Sequence, residues 1–488
     1  MEIREVLAII SLGIFFFILV ASIRGWISQS LLPLQSVLVL GAMILFFLAL
    51  VFRQPFYPAQ LLASTTFHPI TATIAGFLLA GAVEAGGGFA AAGRILSRMG
   101  KGVLGISGTA VILVNIPTIF AMPCGRVWAA TLMPAALMFG FELARINDNL
   151  RVVPVIVFGL IINAAASCGP SPLGGIGTMG EGTGGFPLQS FSNPQQMAIM
   201  VMTLVAMAAI ASVFRVSVKE SVIPPLRNIV PILPKTAYIT FAFYVVGLGV
   251  VFLIRPAIPI QTILLAMTAV VMIVGKVRLR ELIAGVILHP ITAMVAGFIM
   301  GGALLVTGGF DALIKLLSWV ALHTPLGFIG VSVLLIYVPI IFPMPCGRII
   351  AAALLPGVIL FGVEVAQVTG YPQVLPAMLI GFILSAAASC GPSPLGGIGG
   401  IGEGNLGLRH GVTGIPLQLS IISGVPVASL IVSYLGLSQE ILRINELLLA
   451  LGLGLISGLS VNVILGFRFY KPGGVLGGLL VGLLIILL

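Results

Sequence analysis

Two arginines stand in the middle of apolar stretches, inside the pentapeptides Met122-Pro123-Cys124-Gly125-Arg126 and Met344-Pro345-Cys346-Gly347-Arg348. A cation near the centre of a bilayer costs at least about 2.5–3.5 kcal/mol, so such a residue marks a functional site by default. Arg126 and Arg348 each offer a planar fork of donors that suits a carboxylate or another oxyanion. A helix starting just after each pentapeptide adds backbone N–H groups, which also favour an anion. The alternative is a structural brace, each arginine being satisfied by nearby carbonyls or by Glu181 and Glu403. Cys124, Cys346, Gly125 and Gly347 would share the site in either case.

A second constellation is duplicated almost letter for letter. Residues 163–182 read NAAASCGPSPLGGIGTMGEG and residues 385–404 read SAAASCGPSPLGGIGGIGEG, identical at 17 of 20 positions. Proline removes a backbone donor and glycine loosens the chain, so neither copy continues as a helix. Broken helix in hydrocarbon is tolerated only inside protein or along a water-filled cavity. Two breaks in corresponding places of two halves point to a transporter's binding site. Ser167, Cys168 and Ser171, with Ser389, Cys390 and Ser393, are the side chains for a substrate oxygen or a cation, or else caps for the broken helix ends. Freed carbonyls around Gly174, Gly175, Gly396 and Gly397 are candidates for a coupling ion. Glu181 and Glu403 have three readings: proton-coupling carboxylates, partners of the arginines, or vestibule residues facing water. Glu84, whose counterpart is Leu305, is a further candidate proton site or a near-interface residue. His68 and His289 precede prolines at span starts and read as interfacial caps. The four cysteines (124, 168, 346, 390) all fall at these two constellations. They could offer thiolates to a soft metal or metalloid, but Cys is also a common small buried residue. Without a C-x-x-C pair, no disulfide scaffold or dedicated metal site is expected.

Positioning these residues falls to an unusually apolar chain. Of 488 residues, 59% are hydrophobic and 7% charged, against about 25% charged in a soluble domain. A polytopic all-α membrane protein is implied and a large buried soluble core excluded. The net charge of +10 reflects cytoplasmic Lys and Arg rather than nucleic-acid binding. The first apolar run, Val6 to Ile23, follows a net-acidic segment with Glu2, Arg4 and Glu5, and reads as an uncleaved span. Further spans are predicted at 31–52 and 69–86, followed by an interfacial stretch from Phe89 to Lys101. Next come a re-entrant hairpin at 104–141, a broken helix at 152–186 and a span at 197–214. The second half repeats the order: spans at 236–254, 259–275 and 290–306, an amphipathic stretch 310–323, a hairpin at 326–363, a broken helix at 374–404 and a span at 416–434.

The two halves, 1–214 and 236–434, are a duplication offset by 221 to 222 residues, with 215–235 as linker. Residues 435–488 add two spans, 447–464 and 473–488, without counterparts. His68-Pro69-Ile70-Thr71 recurs as His289-Pro290-Ile291-Thr292, Glu142 as Glu364 and Pro154 as Pro376. With five crossings and one hairpin per half, the second half must be inverted. Its charges agree. One orientation places sixteen of the 23 Lys and Arg residues in the cytoplasm, as the positive-inside rule requires. It puts the N-terminus outside a plasma membrane.

In this layout the chain resembles the ion transporter superfamily, particularly its divalent-anion/sodium symporters and citrate-type relatives. The resemblance covers about residues 60–435, in order and symmetry more than in residues. Met122 to Arg126, running on to Leu132-Met133-Pro134, stands where that family has its Ser-Asn-Thr hairpin tip. Ser167 to Gly177 stands where it has its Gly/Thr-rich turn. The resemblance implies an elevator-type secondary transporter, a homodimer, whose hairpins and broken helices move against a scaffold.

The resulting expectation is a secondary active transporter for a small anion, a di- or tricarboxylate. It needs no cofactor, and sodium or protons are the possible coupling ions. The rivals are a sodium/proton-type exchanger using Glu181, Glu403 and Glu84, a soft-metal or metalloid exporter using the cysteines, and a membrane-embedded enzyme with Cys124 or Cys346 as nucleophile. The last is disfavoured, because no His–acid pair lies near either cysteine.

Overall fold

The computed structural model describes residues 3–23, 26, 33–54, 67–120, 124–168, 176, 233–254, 258–284, 288–342, 347–390, 398, 418, 422, 442–467 and 470–487. Among these every regular element is a helix. The first half gives α1 (Ile3–Ile23), α2 (Leu34–Val51), α3 (Phe67–Ala85), α4 (Gly88–Met99), α5 (Gly105–Ile119), α6 (Gly125–Asn147) and α7 (Val152–Ala166). The second gives α8 (Lys235–Ile254), α9 (Ile260–Gly275), α10 (Leu279–Ala284), α11 (Leu288–Val306), α12 (Gly309–His323), α13 (Gly327–Ile341), α14 (Gly347–Thr369) and α15 (Val374–Ala388). Then follow α16 (Leu442–Ile464) and α17 (Pro472–Leu487). Four helical stretches, Ile3–Ala21, Leu34–Val51, Gly347–Thr369 and Leu447–Ile464, are long and apolar enough to cross a membrane, and up to seven spans result if each bent pair counts as one. Large apolar side chains such as Phe17, Met43 and Phe47 lie on the outside, as in a protein whose solvent is lipid. The chain is consistent with an all-α polytopic membrane protein. The spans predicted at 197–214 and 416–434 and the linker 215–235 lie largely outside the described residues.

Local chemistry sets the helix ends in pairs. α3 bends into α4 by 69° and α11 into α12 by 75°. The pivots, Gly87 (φ +76°) and Gly308 (φ +78°), occupy the left-handed region, where a β-carbon would be strained. α5 and α13 carry Pro117 and Pro339 in their last turn. Each leaves a carbonyl one turn earlier without its donor, and the helices stop at Phe120 (ψ 65°) and Phe342 (ψ 65°). α5, α7, α13 and α15 have 15 residues each. At 1.5 Å per residue each is about 22 Å long, short of the roughly 30 Å hydrocarbon core. The second hairpin arms are longer than expected. α6 runs on to Asn147 and α14 to Thr369, because beyond the predicted ends at Phe141 and Val363 no proline or glycine intervenes before Asp148 (φ +47°) and Gly370 (φ +72°).

Packing is reciprocal between halves. α2 of the first half lies on α11 of the second, and α9 of the second on α3 of the first. Likewise α1 packs on α12, and α8 on α4. Each hairpin clasps its own following helix, α5 and α6 on α7, α13 and α14 on α15, and α7 touches α15 between them. The C-terminal pair breaks the reciprocity. α16 and α17 pack on each other and on α5. Their seam is made of backbone. A β-carbon on Gly454 would collide with the Gly478 carbonyl, and one on Gly458 with that of Gly474. One on Gly473 would meet the Leu104 carbonyl, and one on Gly108 the Gly473 carbonyl. Small residues permit such approach, and dispersion replaces the hydrophobic effect between membrane helices.

Candidate functional site

The N-terminal ends of α6 and α14 meet the C-terminal ends of α7 and α15, and they meet in the same way twice. Gly125 opens α6 and donates its N–H to Cys168 Sγ at 3.1 Å, just past the end of α7. Gly347 opens α14 and donates to Cys390 Sγ at 3.2 Å. Both glycines lie against backbone: a β-carbon on Gly125 would overlap the Ala164 carbonyl, and one on Gly347 the Ala386 carbonyl. Only glycine brings the helix N-terminus this close, which is the physical meaning of the Cys-Gly-Arg spacing. Ser167 and Ser389 turn their hydroxyls back onto the Ala164 and Ala386 carbonyls, both at 2.8 Å. They therefore serve as caps at α7 and α15. After each break the chain returns to its start. Ile176 N–H donates to the Cys168 carbonyl at 2.7 Å, and Ile398 N–H to the Cys390 carbonyl at 2.8 Å.

The two copies also interlock. Cys168 and Ile176, from the first break, join the apolar cluster around α14, with Ile349, Ile350 and Ala387. Cys390 and Ile398, from the second, join the cluster around α5 to α7, with Cys124, Val127 and Ala165. Arg348 sits on the first turn of α14, 1% exposed. Its guanidinium lies within electrostatic range of Cys168 in the other half, and the Cys124 and Cys168 thiols are in hydrogen-bond contact. Neither cysteine is part of a disulfide. The structure thus brings together Cys124, Gly125, Ser167, Cys168 and Arg348 about one tip, and Gly347, Ser389 and Cys390 about the other.

Other expected site residues are placed elsewhere or not at all. Glu84 is exposed on the last turn of α3, beside the α3–α4 bend. Ser171, Gly174, Gly175, Glu181, Cys346, Ser393, Gly396, Gly397 and Glu403 lie outside the described residues, as do the side chains of Arg126, His68 and His289. No group of three His, Cys, Asp or Glu residues arranged to hold a metal occurs among the described residues.

One polar cluster was not anticipated from the sequence. Asn163, 0% exposed on α7, donates through Nδ2 to the Val114 carbonyl at 2.6 Å and to Asn115 Oδ1 at 3.4 Å. Its Oδ1 accepts from Thr118 Oγ1. The cluster ties α7 to the first hairpin arm at the residues beside Pro117. It exists in one half only, since the counterparts are Tyr337, Ile340 and Ser385. Ser385 Oγ is buried with no hydrogen-bond partner among the described residues. The signal was present in the duplicated stretch, whose first letter is Asn in one copy and Ser in the other. Aromatic rings pack behind the same tip. Trp128 Nε1–H donates to the Phe120 carbonyl at 2.9 Å, and its ring meets Phe89 (5.7 Å) and Tyr244 (6.2 Å) edge-on.

A comparison with known proteins finds no family model that matches the chain and no curated sequence that resembles it significantly.

Proposed function

We propose that the chain is a secondary active transporter that moves a small organic anion, a di- or tricarboxylate, across the membrane by alternating access. The observation that carries this reading is Arg348, fully buried on the first turn of α14 and within electrostatic range of Cys168 at the end of α7. A buried guanidinium beside a helix N-terminus is a built positive site within an apolar bundle, and a carboxylate is its natural complement. Arg126, at the equivalent place in the first half, would supply the second fork for a dianion.

In this proposal the two halves are inverted repeats. The reciprocal packing of α2 on α11 and α9 on α3 supports that arrangement. The hairpins and broken helices form the moving part of an elevator-type homodimer, with α1, α2, α8 and α9 in the scaffold. The N-terminus lies outside the plasma membrane, and a sodium ion or proton couples at the breaks. Purified chain in liposomes is expected to accumulate labelled di- or tricarboxylate, and Arg348→Ala to abolish accumulation while folding normally. Undiminished uptake by that variant would sink the anion-clamp reading.

The Cys124–Cys168 thiol contact favours one second reading, export of a soft metal or metalloid. Vesicles would then accumulate arsenite or a soft divalent cation, and the Cys124→Ser/Cys168→Ser pair would stop it. Full transport by that double variant excludes the thiols.

A further inference from the structure

Away from the tips, a cleft of about 960 Å³ opens between α1 and α12. Its charged lining is Arg4 and Glu5 from α1 with Asp311 and Lys315 from α12, and the rest is apolar, including Ile9 and Trp319. Lys315 Nζ bonds Glu5 Oε1 at 3.3 Å across it. Both apolar walls are exposed, Ile9 at 55% and Trp319 at 57%. They are continuous with the outer apolar surface of α1, a helix long enough to cross a membrane. Trp319 stacks on His323 with centroids 5.0 Å apart, the amphipathic pairing that suits the membrane–water boundary. α12 itself is turned 75° from the apolar α11.

We infer that this cleft binds a zwitterionic phospholipid carrying a primary ammonium, a phosphatidylethanolamine-type lipid. The four charged groups are two cations and two anions, so the site as a whole is neutral. With Lys315 and Glu5 already paired, an anionic headgroup would bring its extra negative charge up against Asp311. A phosphodiester pairs with Arg4 and Lys315, and an ammonium with its three N–H donors pairs with the two carboxylates. A quaternary ammonium has no N–H to donate, which disfavours choline lipids. The acyl chains then continue along Ile9 and Trp319 into the bilayer. A cleft of several hundred cubic ångströms is of the size that takes a small amphiphile. This inference is independent of the transport reading.

The test is native mass spectrometry of the detergent-purified full chain, offered mixed micelles containing dioleoyl-phosphatidylethanolamine, -choline or -glycerol. The ethanolamine lipid is expected to be retained preferentially. Retention should fall about tenfold in Glu5→Gln/Lys315→Ala, a loss on the order of one charge-assisted hydrogen bond. Ala312→Trp, which fills the cleft without touching a charge, should weaken it as well. Circular dichroism and monodispersity confirm that both variants fold. Equal retention of the three lipids, preference for the glycerol lipid, or undiminished retention in both variants overturns the proposal. So does competition by free phosphoethanolamine alone, which would make the ligand a soluble zwitterion. Efficient cross-linking of Ile9→Cys between two copies, with no lipid retained, would assign the cleft to a second chain instead.

Discussion

The backbone N–H of Gly125 points at the sulfur of Cys168, 3.1 Å away, across 43 residues of chain. Gly347 and Cys390 repeat the contact at 3.2 Å with the same separation. Each pair fixes a hairpin tip to the end of a broken helix, so the two constellations read from the sequence are halves of one structural joint. The joint is backbone against backbone, with a soft sulfur accepting the first N–H of a helix.

That joint leaves no room for a methyl group. Gly125→Ala and Gly347→Ala are each expected to destabilise the protein by about 1–3 kcal/mol or more, as overpacking does. Thermal unfolding in detergent measures this, and an unchanged midpoint for both would contradict the close approach.

Replacing sulfur by oxygen tests the acceptor rather than the space. Cys390→Ser keeps an acceptor near Gly347 and should cost within about 1 kcal/mol, whereas Cys390→Val removes it and should cost more. Comparing the two melting midpoints separates hydrogen bonding from packing. If valine is the better substitute, the N–H to sulfur contact contributes nothing measurable.

The two halves should respond unequally at the start of the duplicated stretch. Asn163→Ala strips partners from Thr118 and the Val114 carbonyl and is expected to cost about 1–2 kcal/mol, near the upper range for polar contacts between membrane helices. Ser385→Ala deletes a hydroxyl with no hydrogen-bond partner among the described residues and should be neutral or slightly stabilising. Equal losses from the two would show that Asn163 is not a tie between α5 and α7.

Arg348 tests geometry as well as charge. Lysine keeps the cation but loses the fork, so Arg348→Lys should remain folded and still lower carboxylate uptake by at least about 30-fold, equivalent to roughly 2 kcal/mol. Retention of near-normal uptake in the lysine variant would reduce Arg348 to a point charge.

Much of the fold was legible because apolar length and breaker residues are local signals. The predicted stretch 236–254 is observed as Lys235–Ile254, and 259–275 as Ile260–Gly275. Pro117 and Pro339 sit next to the ends of α5 and α13, as proline chemistry requires. The reach of α6 and α14 was less legible: it depends on where a left-handed residue finally stops the helix, and Asp148 is a weaker signal than Gly370. The reciprocal exchange of α2 and α9 between halves is a long-range pairing that no local pattern encodes. At the site, the Cys-Gly-Arg and Ser-Cys-Gly spacings pointed to Gly125 and Cys168 but did not encode which cysteine meets which glycine. Asn163 carries no local signal of its role beyond the difference between the copies at that position, because its partners Val114, Asn115 and Thr118 lie far off in sequence.

The glycine seam between α17 and α5 has a mechanical consequence. Any displacement of the first hairpin arm must either carry α17 and α16 along as cargo or prise apart a contact that has no side chains to slide on. Among the described residues that pair does not pack on α13, the matching arm of the second hairpin, as it does on α5. If the hairpins move as proposed, two arms cut from one duplicated template would therefore differ in inertia and in the cost of displacement, and a cycle built on them would run with unequal forward and return steps.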